Sequence, residues 1–271
     1  ELEMNGFSKN HVENIKASLN KETLIVSLGT KLRVAKLKNV RDWFLNNDVL
    51  DFGDPADNFF RSRVLPEGFV DSKEVQANVV KYFASFDEAI RDFNVEELPQ
   101  EDEKDTSKSY KIDALHKMAD SQEVAAIPLK MESSGTLKMF ALYPSLKDVL
   151  DNGGTLFIDE LNARLHPLLV RNIILTFLSP EINTQNAQLI FTTHDIWQFS
   201  NELLRRDEIW LVNKNRDGVS ELYSLADFKD EDGNKVRRDE ALSKKYLTGN
   251  YGAIPALKPM KMLTGRAADG E

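Results

Sequence analysis

Two short runs in this chain end in groups that could hold a metal ion and move a proton. Gly154-Thr155-Leu156-Phe157-Ile158 closes on Asp159-Glu160, and Leu189-Ile190-Phe191-Thr192-Thr193 closes on His194-Asp195. Buried parallel strands read as unbroken apolar runs. Their carboxyl ends are where open α/β sheets place chemistry. Asp-Glu at one strand end and Thr-His-Asp at the next suit hydrolysis of a nucleoside triphosphate. One carboxylate holds Mg2+, a second orients or deprotonates the attacking water, and an imidazole registers the terminal phosphate. Read singly, each run is ordinary, because carboxylates often follow strands and a strand-end histidine is usually structural. The pairing of the two motifs points to a site.

A third segment is Glu132-Ser133-Ser134-Gly135-Thr136-Leu137-Lys138. Small residues open a helix there, so backbone N–H groups and hydroxyls project from its N-terminus, an arrangement suited to an anion. Alone it reads as a plain N-cap. Its place ahead of the Asp-Glu strand gives it weight.

The elements that must position these residues follow from periodicity. From Ser133 onward helix and strand alternate. A helix is expected over Thr136 to Leu150, interrupted at Pro144 and stopped by Asn152-Gly153-Gly154. A strand over 155–159 follows, then a helix from Pro167 to Leu178 with Pro at its first turn. Next come a strand from Gln188 to Thr193, a short helix from Ile196 to Leu204, and strands at Glu208–Asn213 and Leu222–Leu225 about the turn Asp217-Gly218. Such alternation predicts an α/β fold with a mostly parallel sheet. Ahead of it, Thr23–Leu28 reads as a buried strand and Val34 to Asn46 as a helix. Gly53–Gly68 reads as a loop and Lys73–Phe93 as one long helix. Glu96–Lys108 reads as a solvated linker, and Tyr110–Leu115 with Ala125–Met131 as strands about a turn at Asp120-Ser121.

Composition bounds the rest. The 271 residues carry 41% hydrophobic side chains, enough for a substantial core, and a formal net charge of −9 that argues against indiscriminate nucleic-acid binding. Cysteine is absent, which excludes disulfides and thiolate metal sites and fits a reducing, cytoplasmic location. No apolar run nears the roughly 20 residues that span a bilayer. The chain opens on Glu1 rather than Met, so upstream sequence is expected.

Taken in order, these motifs resemble the second lobe of an ABC-type ATPase head, as in RecF and the SMC and Rad50 group. In those proteins they are the signature motif, the Walker B motif and the H-loop. The wording is closer to the AAA15, or RloA-like, ATPases of bacterial anti-phage defence and abortive infection. The matching phrases are ESSGTLK, FIDELNARLHPLL, NAQLIFTTHD, LLRRDEIWLVNK, ELYSLADF and YLTGNYGAIP, spread over about 132–255. The resemblance implies roles. Asp159 holds Mg2+ through water, Glu160 is the catalytic carboxylate and His194 the switch histidine. Ser133, Ser134 and Gly135 meet the γ-phosphate of a nucleotide held by another protomer. Ala163, Arg164 and His166 fall in the D-loop that faces the partner, although His166 stands where many relatives have Asp and also suits helix capping.

Two departures are plain. The phosphate-cradling GxxxxGK[ST] loop is absent, Leu28-Gly29-Thr30-Lys31 being the nearest text. A glutamine expected after the strand near residue 28 is replaced by Lys31. The Walker A lobe is therefore expected to come from a region outside these residues. The implied domains are 1–130, the end of the first lobe plus a helical and hairpin insertion; 131–213, the lobe with signature, Walker B and H-loop; and 214–271, a C-terminal extension and tail.

The implied activity is ATP binding and hydrolysis between paired heads, with ATP and Mg2+ as cofactors. The implied partners are a homodimer or higher homo-oligomer, an effector nuclease or toxin, and a trigger that is nucleic acid or a phage component; no membrane is expected. Two alternatives stay open: a nucleotide-locked scaffold with little turnover, and a RecF-like DNA repair ATPase. A nuclease of the overcoming-lysogenization type would need a Toprim domain, which the sequence does not show.

His11 and His116 lack partners by spacing and read as surface or structural residues. Asp230-Glu231-Asp232-Gly233-Asn234 reads as a solvent turn, without the bidentate Glu of a calcium loop. Trp197 and Trp210 read as core or interface aromatics.

Overall fold

The computed structural model describes residues 7–47, 49–61, 63–99, 108–119, 121 and 123–255. Most of the linker expected at Glu96–Lys108, residue Asp120 of the expected turn and the tail from Gly265 lie outside the described residues. The chain divides into two compact units, 1–193 and 194–271.

The first unit begins with three helices, α1 (Lys9–Ser18), α2 (Ile25–Lys31) and α3 (Ala35–Asn46). The expected strand at Thr23–Leu28 is thus corrected to helix. A short run of aliphatic residues fits either state, and packing decides. Gly29 is the reason here: a Cβ on it would stand 2.1 Å from Cδ1 of Leu37, so its bare face admits the Leu37 side chain from α3. Lys31 therefore ends a helix and does not follow a sheet strand.

The loop expected at Gly53–Gly68 holds α4 (Pro55–Arg61). Asp54 starts it by accepting the Ala56 N–H at 2.8 Å, with Pro55 in the first turn. The long helix expected to Phe93 ends early. Its first part is α5 (Lys73–Phe83), capped by Ser72, and the rest is strand β2 (Ile90–Glu97). Ile90 and Phe93 are both buried at a spacing that imitates a helix. The register shift between Ile90 and Asp92 produces that spacing in a strand. β2 pairs antiparallel with β3 (Tyr110–Lys117), which pairs with β4 (Val124–Pro128). A single 3-10 turn, Leu129–Met131, then leads to α6 (Ser134–Asn152), which continues through Pro144 and stops at Gly153 with φ 78°.

A three-stranded parallel sheet carries the candidate chemistry. Its order is β1 (Val49–Asp51), β5 (Thr155–Asp159), β6 (Gln188–Phe191), giving the α/β architecture expected. β5 buries Leu156 and Ile158, while Phe157 faces the Trp43 ring at 6.1 Å. Helix α7 (Pro167–Leu178) connects β5 to β6. Beside the sheet, edge-on contacts of Phe69 with Phe93 and Phe140, at 5.1 and 5.4 Å, tie α6 to the antiparallel strands.

The second unit contains the antiparallel hairpin β7 (Trp210–Lys214) and β8 (Ser220–Ser224), and α8 (Leu242–Leu247). Its core gathers Ile209, Leu211, Leu225, Val236, Leu242 and Tyr251. The helix expected over Ile196–Leu204 is only a 3-10 turn at Ile196–Gln198, begun by the Asp195 carboxylate accepting the Trp197 N–H at 2.9 Å. Trp197 and Trp210 are exposed, so neither is a core residue. Among the described residues no helix is long and apolar enough to cross a membrane.

Candidate functional site

The parallel register sets the site. Asp51 is level with Asp159, and Ile158 is level with Phe191, so Thr192 follows at the same edge. Asp51, Asp159, Glu160 and Thr192 therefore share the carboxyl edge of one sheet. Sequence reading missed Asp51, because β1 is three residues long and shows no periodicity.

Thr192 organises this edge. Its hydroxyl donates to Asp159 Oδ1, and its Oγ1 accepts the Glu160 N–H at 2.9 Å. The Thr192 carbonyl accepts the Leu161 N–H at 3.0 Å, and the Thr192 N–H donates to the Ile158 carbonyl at 3.0 Å. One threonine thus fixes the side chain of Asp159 and the backbone on both sides of Glu160. On the other flank, the Asp51 carboxylate accepts the N–H groups of Gly53 and Asp54 at 2.9 and 3.0 Å. Gly53 lies against Glu160, where a Cβ would stand 2.9 Å from the Glu160 carboxyl carbon.

Glu160 has φ 50° and Arg164 has φ 63°. A left-handed backbone at a residue with a side chain costs about 1–3 kcal/mol and persists only where surroundings over-determine it. The restraints here are visible. Besides Thr192, the Ala163 N–H donates to the Glu160 carbonyl at 2.9 Å and the Leu165 N–H to Asn162 at 3.1 Å, while Leu161 and Leu165 are buried. Thr193 donates to the Asn162 side chain at 2.9 Å.

Helix α6 brings the third motif to the same place. The Ser133 side chain caps the helix by accepting the Thr136 N–H at 3.1 Å and bonds the Thr136 hydroxyl at 2.8 Å. Ser133 and Ser134 are exposed, and Gly135 is half-buried. A Cβ on Gly135 would lie 3.1 Å from the Arg164 carbonyl, so the absence of a side chain lets this helix end approach the loop after β5. Lys138, one turn further on, is fully buried. Its ammonium donates to the carbonyls of Glu160, Leu161 and Ala163 at 3.2, 2.7 and 2.8 Å. It also sits 4.2 Å from the centre of the Phe52 ring. Burial, and then the nearby Arg164 guanidinium, lower its pKa to about 7. Sequence reading gave Lys138 no role, since a lysine in a helix is usually solvated and nothing local marks this one as buried.

Ala163, Arg164 and His166 all lie in the segment from β5 to α7, as their positions require. Arg164 and His166 are exposed and Ala163 is half-buried. His166 caps α7, its Nδ1 accepting the Leu168 N–H at 3.2 Å. His194 is exposed and opens the second unit, immediately after Thr193. The first unit thus gathers Asp159, Glu160, Ser133–Gly135 and the Ala163–His166 turn about one loop.

His116 has no partner by sequence spacing and reads as a surface or structural histidine. The structure pairs its Nε2 with Glu132 Oε1 at 2.6 Å, with both side chains largely buried. Glu132 immediately precedes the Ser133 cap, so β3 is tied to the start of α6. In the acidic turn, Asp230 Oδ1 accepts the N–H groups of Asp232 and Asn234 at 3.1 and 2.7 Å, the pattern of a self-satisfied solvent turn.

The donor set at the sheet edge is all oxygen, which suits a hard divalent cation. No group of three or more His, Cys, Asp or Glu side chains is disposed to hold a metal ion among the described residues. Mg2+ keeps several waters when bound and takes part of its shell from phosphate oxygens. Asp159 would hold it.

A protein-family model described as "AAA domain, putative AbiEii toxin, Type IV TA system" matches residues 10–196, more than half of the chain, and spans Ser133–Gly135, Asp159-Glu160, the turn at 163–166 and His194. No curated protein matches the chain.

Proposed function

Because the chain belongs to this AAA-domain family, we propose that it is the carboxylate-bearing part of an ATPase, hydrolysing ATP between two copies. The observation that carries this reading is the Thr192 hydroxyl holding Asp159 while its oxygen fixes the Glu160 backbone in a left-handed turn. Such an arrangement presents two carboxylates with separate tasks at one sheet edge.

Mg2+-ATP, when bound, supplies an electrophilic terminal phosphoryl group and a cation that screens its charge. The chain's residues do the rest. Asp159 would hold the cation. Glu160 orients the attacking water and takes up its proton. His194 bonds the terminal phosphate and registers its presence. Ser133, Ser134 and Gly135 close over a nucleotide seated on the partner copy, and Ala163, Arg164 and His166 face that copy. A phosphate loop from outside these 271 residues completes each site. Ground-state and hydrolysed nucleotide then favour different assemblies, which makes the dimer a reporter of nucleotide state.

The finer placement as an AAA15, RloA-like defence ATPase rests on the phrases from ESSGTLK to YLTGNYGAIP. On that reading the output is control of a toxic effector, such as a nuclease, during phage infection. The family description, which names a toxin and a toxin–antitoxin system, points the same way.

Glu160→Gln tests the proposal. In the intact protein it should abolish turnover, retain ATP and stabilise the assembled state. A variant that hydrolyses ATP at the wild-type rate would overturn the assignment. Unchanged assembly and effector control despite lost turnover would favour the nucleotide-locked scaffold.

A further inference from the structure

Lys138 is a lysine in the interior of a helix with none of its surface open to solvent. A buried ammonium is tolerated only when its donors are satisfied. Here all three are engaged by backbone carbonyls, and the three carbonyls belong to residues 160, 161 and 163. Its three hydrogen-bond acceptors all lie in the loop that carries Glu160.

The neighbours of Lys138 point to the same loop. Gly135, three residues earlier and hence on the same side of α6, meets the Arg164 carbonyl. Phe52, whose ring faces the ammonium, donates its N–H to the Asp159 carbonyl at 3.2 Å. The next residue, Gly53, borders the Glu160 carboxylate. Lys138 therefore sits between the opening of α6, the end of β5 and the wall against Glu160.

We propose that Lys138 is a positioning residue, clamping the loop of Glu160 to the signature end of α6 so that the two segments move together. The role rests on the reading of Glu160 as the carboxylate that activates water. It adds a coupling to that reading. Ser133–Gly135 serves the nucleotide on the partner copy, while Glu160 serves the nucleotide on its own copy. A rigid link between them makes closure over one nucleotide align the catalytic carboxylate for the other.

The test compares Lys138→Met, which keeps the length and removes every donor, with Lys138→Gln, which keeps a shorter donor, in the intact protein. Lys138→Met should lower kcat by about tenfold or more while leaving KM for ATP within about twofold, with Lys138→Gln intermediate. In nucleotide-free protein, amide hydrogen exchange should quicken by about tenfold over 160–165 in Lys138→Met, with α6 and β5 unchanged. Unaltered kcat, unaltered exchange at 160–165, or a loss confined to KM would overturn the proposal. So would failure of both variants to fold, which would make Lys138 a residue of the core and not of the site. Glu160→Gln, assayed in parallel, separates the two readings. If it abolishes turnover while Lys138→Met does not change it, only the positioning role falls. If Glu160→Gln hydrolyses ATP normally, the catalytic reading falls and takes the positioning role with it.

Discussion

Gly53 leaves room for the Glu160 carboxylate: a Cβ on Gly53 would stand 2.9 Å from the Glu160 carboxyl carbon and 3.1 Å from its Oε2. The carboxylate of the proposed catalytic residue therefore packs on backbone that has no side chain to push it away. This contact joins the turn after β1, a strand that the sequence did not reveal, to the strand end that it marked most clearly.

Gly53→Ala follows from that contact. The obstructing group is the far end of a side chain, so the fold should lose only about 1 kcal/mol, read by urea denaturation. The Glu160 carboxylate should be displaced, and steady-state ATP hydrolysis should fall by about tenfold. Full activity in Gly53→Ala would show that the position of this carboxylate is unimportant.

Thr192→Val keeps the shape of the side chain and removes its hydroxyl. Asp159 loses a donor and the Glu160 N–H loses its acceptor. The expected loss is about 1–3 kcal/mol of stability. Hydrolysis should fall by about tenfold or more, since the metal-holding carboxylate and the Glu160 backbone both come loose. Equilibrium unfolding and an ATPase assay on one preparation measure both.

Lys138 gives a pH signature. Its folded pKa, lowered to about 7, lies below its ordinary value of 10.5. Between these values the unfolded chain binds the proton and the folded chain does not, so stability rises with pH across the window. The limiting slope is about 1.4 kcal/mol per pH unit. Denaturation at pH 7 and pH 9 should therefore show wild type gaining on Lys138→Met as pH rises. A difference that stays constant would mean that the lysine remains charged throughout.

Much of the framework of the candidate site was legible because its boundaries are marked by chemistry. Gly153-Gly154, the apolar run, Asp159-Glu160 and Pro167 delimit a strand, a turn and a helix with little ambiguity, and β5 and α7 lie where expected. What stayed hidden depended on contacts between distant residues. Thr23–Leu28 has strand-like side chains, but Gly29 against Leu37 makes a helix pair. Ile90 and Phe93 imitate a helical face through a shift in strand register. Lys138 looks like a surface residue until the Glu160 loop is placed beside it, and nothing near His116 in the sequence marks Glu132 as its partner.

His116→Ala should leave the buried Glu132 carboxylate without its imidazole partner. The expected cost is about 1–3 kcal/mol. Glu132→Gln should cost less, because an amide oxygen can still pair with the ring. Urea titrations of the two variants rank them. If Glu132→Gln proves the more damaging, the pair does not act as a simple hydrogen bond holding the start of α6.

The central claim is that the edge bearing Asp159 holds the metal for ATP hydrolysis, and Asp159→Asn in the intact protein tests it most directly. Steady-state hydrolysis at saturating Mg2+-ATP should fall by about a hundredfold or more, while the thermal unfolding midpoint stays close to wild type. Turnover that remains within about threefold of wild type would contradict the account.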